Sequence, residues 1–296
     1  PLTLQGFVNT YLCQTWEDAG AQEEIPYEYL FARREGNFSD HELLAPEGIG
    51  VITAGVDVQD DRLEIEFVGW GKGQNAPESW SLHYGVLYGD PSGNQLWDEL
   101  DSLLLRSWTL PNGRNIGVSA TCIDSGGHFT QAVYAFVKRT TGRKIYAIKD
   151  RGEEGRPAIP NRPSRNNIGK IPLYVLGSFA LKEQVLAQLR IEEPGPGFCH
   201  FPDTRPKEFF LGLLAEKIVT KYGKGYAKRS WQKTNRQRNE PLVCRVYSLA
   251  ALMILNIRNM DKLAIRMNSE EGLDQHDEKP KRRMVRPRRN FATSWR

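Results

Sequence analysis

The run Gly48–Gly71, GIGVITAGVDVQDDRLEIEFVGWG, constrains the fold more than any other stretch. Its first half is rich in β-branched residues. Its second half alternates strictly, with Leu63, Ile65 and Phe67 on one face and Arg62, Glu64 and Glu66 on the other. Side chains on a strand alternate with period two, so the spacing predicts two strands joined by a turn at Gln59-Asp60-Asp61. A third strand is predicted over ESWSLHYGVLYG, which makes an antiparallel meander. The first strand carries one anomaly. Asp57 interrupts an apolar run, and an ionised carboxylate there is costly unless it is paired or bound to a cation.

The rest of the chain completes an α/β pattern. A helix is predicted from about Gln95 to Ser107, with Leu96, Leu100, Leu103 and Leu104 at helical spacing. The apolar strand NIGVSATCID follows and ends on Asp124; then come a tight loop SGGH, the helix FTQAVYAFVKRT and the strand KIYAIK. Residues 150–170 are rich in Gly, Pro, Arg and Asn and read as a mobile basic loop. The strand IPLYVLGS, the helix FALKEQVLAQLR and the break PGPG come next. A helix over 205–220, a basic hairpin over 221–233 and an apolar helix over 240–259 close the order. Pro241 falls in the first turn of that helix, where its missing N–H is tolerated. Three antiparallel strands, helix, strand, helix, strand is the order of a ribonuclease H-like fold, an α/β class with a mixed central sheet flanked by helices.

In that core the first strand and the strand after the first helix lie side by side. Asp57 and Asp124 would then reach one point. A lone Asp at a strand end reads as a turn cap; the pair in this strand order reads as metal ligands. Oxygen donors suit Mg²⁺ or Mn²⁺, and a site of two such ions would generate the attacking hydroxide and stabilise the leaving oxygen of a phosphodiester. Glu240 and Glu216 are further acids. Glu240 on its own reads as a first-turn carboxylate complementing the helix dipole. His128 follows the Asp124 loop, and His200 in GFCHFP reads as a packed position. No H-E-x-x-H or paired Cys/His spacing supports zinc. No G-x-x-x-x-G-K-[ST] supports an ATP site, and no G-x-S-x-G supports a serine hydrolase.

Charge adds the partner. The chain has 296 residues and a net charge of +4, but nine bases and five acids lie from position 263 onward, so the first 262 residues carry 31 of each sign. That body is patterned. Residues 1–66 hold 14 acids and three bases, residues 138–170 hold ten bases and three acids, and residues 217–238 hold eight bases and no acid. One basic run reads as a solvated face. Two such runs beside an acidic segment favour a polyanion, whose phosphates Lys and Arg neutralise. The residues expected to grip a nucleic-acid backbone are Lys221, Lys224, Lys228, Arg229 and Lys233 of the hairpin, with Arg162 and Arg165 of the loop; no base reading is implied. No stretch approaches 18 uncharged apolar residues, so no membrane helix is expected. The absence of an initiator Met suggests a piece of a longer protein. The four widely spaced cysteines suggest a reducing compartment rather than a disulfide framework. Residues 1–45 read as a linker or arm from an upstream domain, 46–262 as the globular body, and 263–296 as a disordered tail that is acidic first and basic second.

GVDVQDDRLEIEFVGWG, WSLHYGVLYGDP, IDSGGHFTQAVYAF, AIKD and NEPLVCRVYSLAAL together resemble the C-terminal nuclease region of the GpA-type, lambda-like large terminase subunits of tailed bacteriophages. The resemblance runs from about residue 1 to about residue 258. It implies a metal-dependent endonuclease that cuts concatemeric double-stranded phage DNA during genome packaging. It also implies an upstream P-loop ATPase, a small terminase subunit as partner, and a C-terminal tail docking on the procapsid portal in the host bacterial cytoplasm. By resemblance Asp57 matches the first metal-binding acid and Asp124 the second. The family pattern on the last helix is N-E-x-L-D-C-x-V-Y-A-L-A-A, whereas this chain reads N-E-P-L-V-C-R-V-Y-S-L-A-A, with Val243 where the third acid is expected. Valine cannot bind a cation. Either Glu240, nearly one turn earlier on a similar face, substitutes for it, or the chain is a catalytically impaired DNA-binding and docking domain. A resolvase or integrase built on the same core is a more distant reading.

Overall fold

The computed structural model describes residues 24–165, 171–223, 226–234 and 238–269. In chain order the elements are α1 (Tyr27–Ala32), β1 (Arg34–Glu35), β2 (Val51–Val58), β3 (Arg62–Trp70), β4 (Ser79–Tyr88), α2 (Gln95–Leu104), β5 (Ser107–Thr109), β6 (Asn115–Asp124), α3 (Thr130–Arg139) and β7 (Ile145–Asp150). They continue as β8 (Ser164–Arg165), β9 (Pro172–Leu176), α4 (Ser178–Leu189), β10 (Cys199–Pro202), α5 (Lys207–Leu213), β11 (Glu216–Gly223), β12 (Tyr226–Lys233), α6 (Glu240–Leu255) and α7 (Met260–Asn268).

One mixed sheet runs β1-β10-β4-β3-β2-β6-β7-β9-β8, with β5 paired to β6 off this path. The predicted meander is its centre: β2, β3 and β4 are antiparallel neighbours. β6 lies parallel to β2, and β7 parallel to β6. That is the ribonuclease H-like strand order expected from the chain.

The alternation in β2 and β3 sorts residues between two helix layers. Ala54, Val56, Leu63, Ile65 and Phe67 face a core with Leu96, Trp97 and Leu100 of α2 and Val133 and Phe136 of α3. The opposite face lies beneath α4, α5 and α6, where Val51, Ala120, Cys122 and Ile148 pack with Leu242, Val246 and Leu249. Glu64 and Glu66 point to this second layer and are buried. Alternation therefore marks two faces here without marking either as wet. Burying a carboxylate requires a partner, and Arg245 of α6 supplies it: its Nε donates to Glu66 Oε2 at 3.0 Å and its Nη2 to Oε1 at 2.6 Å.

α6 lies unusually close to β2 because Gly55 has no side chain. A Cβ at Gly55 would stand 2.0 Å from the Cys244 carbonyl oxygen and 2.5 Å from the Ser248 amide nitrogen. Gly55→Ala is expected to cost at least about 2 kcal/mol by forcing helix and strand apart. A thermal melt checks this, and an unchanged Tm would contradict the close approach.

Several expectations change. The first predicted helix stops at Leu104, and Trp108 is drawn under the sheet by the pairing of β5 with β6. The helix expected over 205–220 covers only Lys207–Leu213; Ile218, Val219 and Thr220 belong to β11, and Ile218 faces Trp231 across the ladder. β-branched residues fit a pleated surface better than a helix. In the segment read as an arm, β1 joins the sheet edge beside β10, Leu30 and Phe38 are buried, and Leu44 bridges to Thr109. His200 is held there, with Nδ1 at 2.5 Å from Glu35 and Nε2 at 2.9 Å from Glu78, stacked on Trp80. Burial opposes its charge, but the two carboxylates outweigh that and raise its pKa. Cys122, Cys199 and Cys244 are buried free thiols; Cys13 lies outside the described residues. The tail expected from residue 263 starts later, because residues 263–268 belong to α7, with Ala264 buried and Asn268 bonded to Ile49; residues 270–296 lie outside the described residues. Among the described residues no single helix is long and apolar enough to cross a membrane.

Candidate active site

The strand registers assemble a row of acids under the N-terminal half of α6. Asp57 in β2 pairs with Glu64 in β3. Val56 pairs with Ile123 in β6, so the next step of the parallel register sets Asp57 beside Asp124. Adjacent strands are about 4.8 Å apart, and all three residues share the face turned to α6. Asp124 in turn pairs with Ile148, and Asp150 ends β7 two residues further on, on the same face. From above, Glu240, Cys244 and Tyr247 of α6 act on this row, and Val243 follows Glu240 at helical spacing.

Charge in the row is poorly compensated at its centre. Asp57 is only 6% exposed. Burial first, then the charge of Asp124, and then Glu240 and Glu64 push its pKa up from 3.8 to about 7, against a hydrogen bond from Gln59 Nε2 at 2.5 Å. Asp124 is also raised, by burial and by Asp150, although the N–H groups of Gly126 and Ser125 oppose the shift. Burial and the charges of Asp124, Asp57 and Asp150 hold the Tyr247 phenol well above its ordinary value, so it stays protonated over the row. Burial and the nearby Asp57 and Glu64 likewise keep the Cys244 thiol protonated.

The flank of the row is handled differently. Glu64 accepts from Arg62 Nε at 2.7 Å, from Arg238 Nη2 and from the Tyr84 hydroxyl. Glu240 Oε1 accepts from Arg62 Nη2 at 3.1 Å, and its Oε2 lies 3.5 Å from Arg238 Nε. Both oxygens of Glu240 are thus engaged by guanidinium groups. Val243 is partly buried and packs with the apolar layer under α6.

The remaining predicted residues spread out. Glu216 is buried against Lys182 Nζ at 2.7 Å and Asn239 Nδ2 at 2.5 Å, and so anchors the residue that precedes Glu240. His128 is exposed and meets Asp60 at 3.1 Å. Lys221, Lys228 and Lys233 are exposed on the two-stranded ladder of β11 and β12, with Lys221 directly opposite Lys228. Arg229 is tied to Glu154 at 3.1 Å and Glu183 at 2.6 Å, which docks the ladder on the 150–165 loop and α4. Arg162 and Arg165 are exposed at the β8 edge; β8 pairs with the start of β9, while Asp150 pairs with its end, so these arginines lie away from the carboxylates. Lys224 lies outside the described residues. Sequence reasoning missed Glu64 and Asp150. The signal for Glu64 was present: a turn centred on Asp60 and Asp61 pairs residue 57 with 64.

The donor chemistry fits a hard divalent cation. Mg²⁺ takes oxygen ligands, and one or two carboxylates with several waters suffice. Asp57 and Asp124 meet that description, and their unfavourable mutual charge is the kind a cation relieves. Among the described residues no group of three His, Cys, Asp or Glu side chains completes a larger donor set.

Three comparisons bear on this arrangement. The sequence profile of the family described as terminase large subunit gpA, endonuclease domain, matches residues 1–263. The large terminase subunit of Escherichia phage lambda is 32% identical over 277 residues, covering 90% of this chain and 42% of that protein. The large terminase subunit of Enterobacteria phage P21 is 28% identical over 280 residues, covering 92% of this chain and 42% of that protein. The chain therefore spans about two fifths of the length of these relatives. Among solved structures, the nuclease domain of the large terminase subunit gp2 of bacterial virus Sf6 aligns with a TM-score of 0.42 and 16% identity, covering 78% of this chain and 96% of that one. A mutant of that Sf6 domain with manganese aligns with a TM-score of 0.44 and 15% identity, over 75% and 96% of the two chains.

Proposed function

The chain belongs to the terminase large subunit gpA endonuclease family, and from that premise we propose that it hydrolyses phosphodiesters of double-stranded phage DNA with Mg²⁺ or Mn²⁺ held between Asp57 and Asp124. The observation that carries this reading is the register, in which the buried Asp57 and the partly buried Asp124 fall at neighbouring positions of β2 and β6, with the Asp124 charge raising the pKa of Asp57. A bound divalent ion would supply Lewis acidity and a water of lowered pKa there. Asp57 and Asp124 hold and orient the ion. Gln59 fixes one carboxylate oxygen of Asp57, and the Gly126 N–H fixes one of Asp124. Glu240 is the third acid of the site, its charge acting directly on Asp57. Lys221 and Lys228 face one another in like charge, an arrangement that a polyanion relieves. With Lys233, Lys224, Arg229, Arg162 and Arg165, they supply the DNA-backbone contacts. In the packaging assembly the body takes in the packed segment that holds Leu30 and Phe38 as well as residues 46–262, and it runs through α7 to Asn268. It follows an upstream ATPase and works with the small terminase subunit in the host cytoplasm. The tail beyond α7 docks on the procapsid portal.

One observation favours a second reading. Valine stands on α6 at the position of the family's third acid, so the chain is alternatively a DNA-holding domain with impaired cleavage. Val243→Asp separates the two. Under the first reading the unmodified protein nicks supercoiled plasmid in Mn²⁺, and the added acid changes the rate by less than about tenfold. Under the second, the unmodified protein is inert and the added acid switches cleavage on by at least about a hundredfold. If neither protein cuts, both assignments of the pair as a latent or working metal site fail.

A further inference from the structure

Arg62 and Arg238 form a guanidinium pair at the edge of the acid row that the metal chemistry leaves unused. Arg62 opens β3, and its three nitrogens are spread over Asp61 Oδ1 at 2.7 Å, Glu64 Oε1 at 2.7 Å and Glu240 Oε1 at 3.1 Å. Arg238 comes two residues before α6 and divides Nη2 and Nε between Glu64 and Glu240. The two carboxylates that hold the pair are almost fully covered, at 1% and 9% side-chain exposure, whereas the Arg238 side chain is 57% exposed. Its Nη1 makes no hydrogen bond among the described residues. Buried acids thus anchor one largely covered cation, Arg62 at 16% side-chain exposure, and one outward-facing cation, Arg238, beside the strand position of Asp57.

Exposed ion pairs are common and mark no site by themselves; the position of this one does, since it leaves a planar fork with a donor to spare at the mouth of a site for a phosphodiester. Guanidinium matches phosphate geometry with two parallel N–H···O bonds. A carboxylate presents a similar pair of oxygens to the same fork. We propose that Arg238, held by Glu64 and Glu240 beside Arg62, binds a DNA phosphate next to the one placed at Asp57 and Asp124. In that role Glu64 and Glu240 occupy the guanidiniums when no DNA is present, and Glu240 competes with phosphate for Arg238. The proposal rests on the metal-nuclease reading for the location of the scissile bond, but the clamp itself needs no metal to bind phosphate.

The test is the affinity of a short DNA duplex, measured by fluorescence anisotropy in EDTA over a range of salt concentrations. Arg238→Ala is expected to weaken binding about fivefold and to lower the slope of log affinity against log salt by about one. Arg238→Lys is expected to recover the slope but, lacking the fork, not the Mn²⁺-dependent nicking rate. Glu240→Gln, which loosens the hold on Arg238 and removes a competing carboxylate, is expected to tighten DNA binding about threefold in EDTA. Equal affinity and slope for wild type and Arg238→Ala, including no binding by either, overturns the clamp, as does weaker binding by Glu240→Gln. Asp57→Ala is the separate control. If it leaves nicking unchanged, the metal-nuclease reading fails, whatever the salt slopes show.

Discussion

Asp57→Asn is expected to lower Mn²⁺-dependent nicking of supercoiled plasmid by about three orders of magnitude, equivalent to about 4 kcal/mol of transition-state stabilisation, while making the metal-free protein more stable. Both effects have one cause. Asp57 is buried in a row of acids, and its pKa in the folded state is pushed up to about 7. The unfolded chain loses the same proton near the ordinary carboxylate value. Between these two values the folded state binds the extra proton, so stability falls as pH rises through the window and the full deficit is present above about pH 7. Three units of separation set an upper bound of about 4 kcal/mol. Asn cannot ionise and can keep the hydrogen bond to Gln59. In EDTA at pH 8 the variant is expected to unfold about 2–4 kcal/mol later than wild type, a rise of roughly 5–10 °C in Tm, and at pH 4 the two should melt together. Adding Mn²⁺ should raise the Tm of wild type and leave that of the variant in place. A wild type that melts at the higher temperature in EDTA at pH 8 would rule out the uncompensated row.

Arg245→Met is expected to cost about 3–5 kcal/mol, the usual penalty for leaving one partner of a buried ion pair charged and alone. Glu66 is 0% exposed and Arg245 2% exposed. With the guanidinium gone, Glu66 keeps one short hydrogen bond, from Ser81 Oγ at 2.7 Å. Calorimetry should show Tm falling by about 10 °C. The double variant Arg245→Met with Glu66→Leu should recover most of the loss, because apolar groups of similar volume remove the buried charge altogether. A single variant that costs under about 1 kcal/mol would show that Glu66 finds another partner or protonates freely. The pair also matters for function. Arg245 lies five residues after Glu240 on the same helix, so its two bonds to β3 fix where α6 sits along the sheet. Glu240, Val243 and Tyr247 are carried to the acid row by that placement. Arg245→Met with Glu66→Leu is therefore expected to restore stability without restoring the full nicking rate.

The central meander, the two aspartates on neighbouring strands and the long apolar helix were legible because each rests on local pattern. Strand period two, a turn of polar residues and an acid in an apolar run survive in any context. The family motifs added the order of the whole core. Less legible was everything that depends on what covers a surface. The alternation over Arg62–Phe67 separates two faces, but only the packing of α6 shows that Glu64 and Glu66 are buried on one of them. Glu216 looked like an acid available for chemistry and is instead an anchor for Lys182 and Asn239. Arg229 looked like a free cation of a basic hairpin and is held by Glu154 and Glu183. Charge counting treats each residue alone, whereas ion pairing is decided by neighbours from distant parts of the chain.

By itself the sequence determined the α/β class, the strand order and the identity of Asp57 and Asp124 as the acids to watch, since periodicity and motif are properties of adjacent residues. It also exposed Val243 at the position where the resemblance implies a third acid. The tertiary structure alone decided how charge is shared among the acids. The β2–β3 and β2–β6 registers align Glu64, Asp57 and Asp124 in one row, and the descent of α6 onto Gly55 brings Glu240 to that row with Arg62 and Arg238 across it. The physical reason is that Coulomb energies and hydrogen bonds depend on separation and burial, and residues 57, 64, 124 and 240 acquire both only when the sheet is closed and the last helix is laid on it.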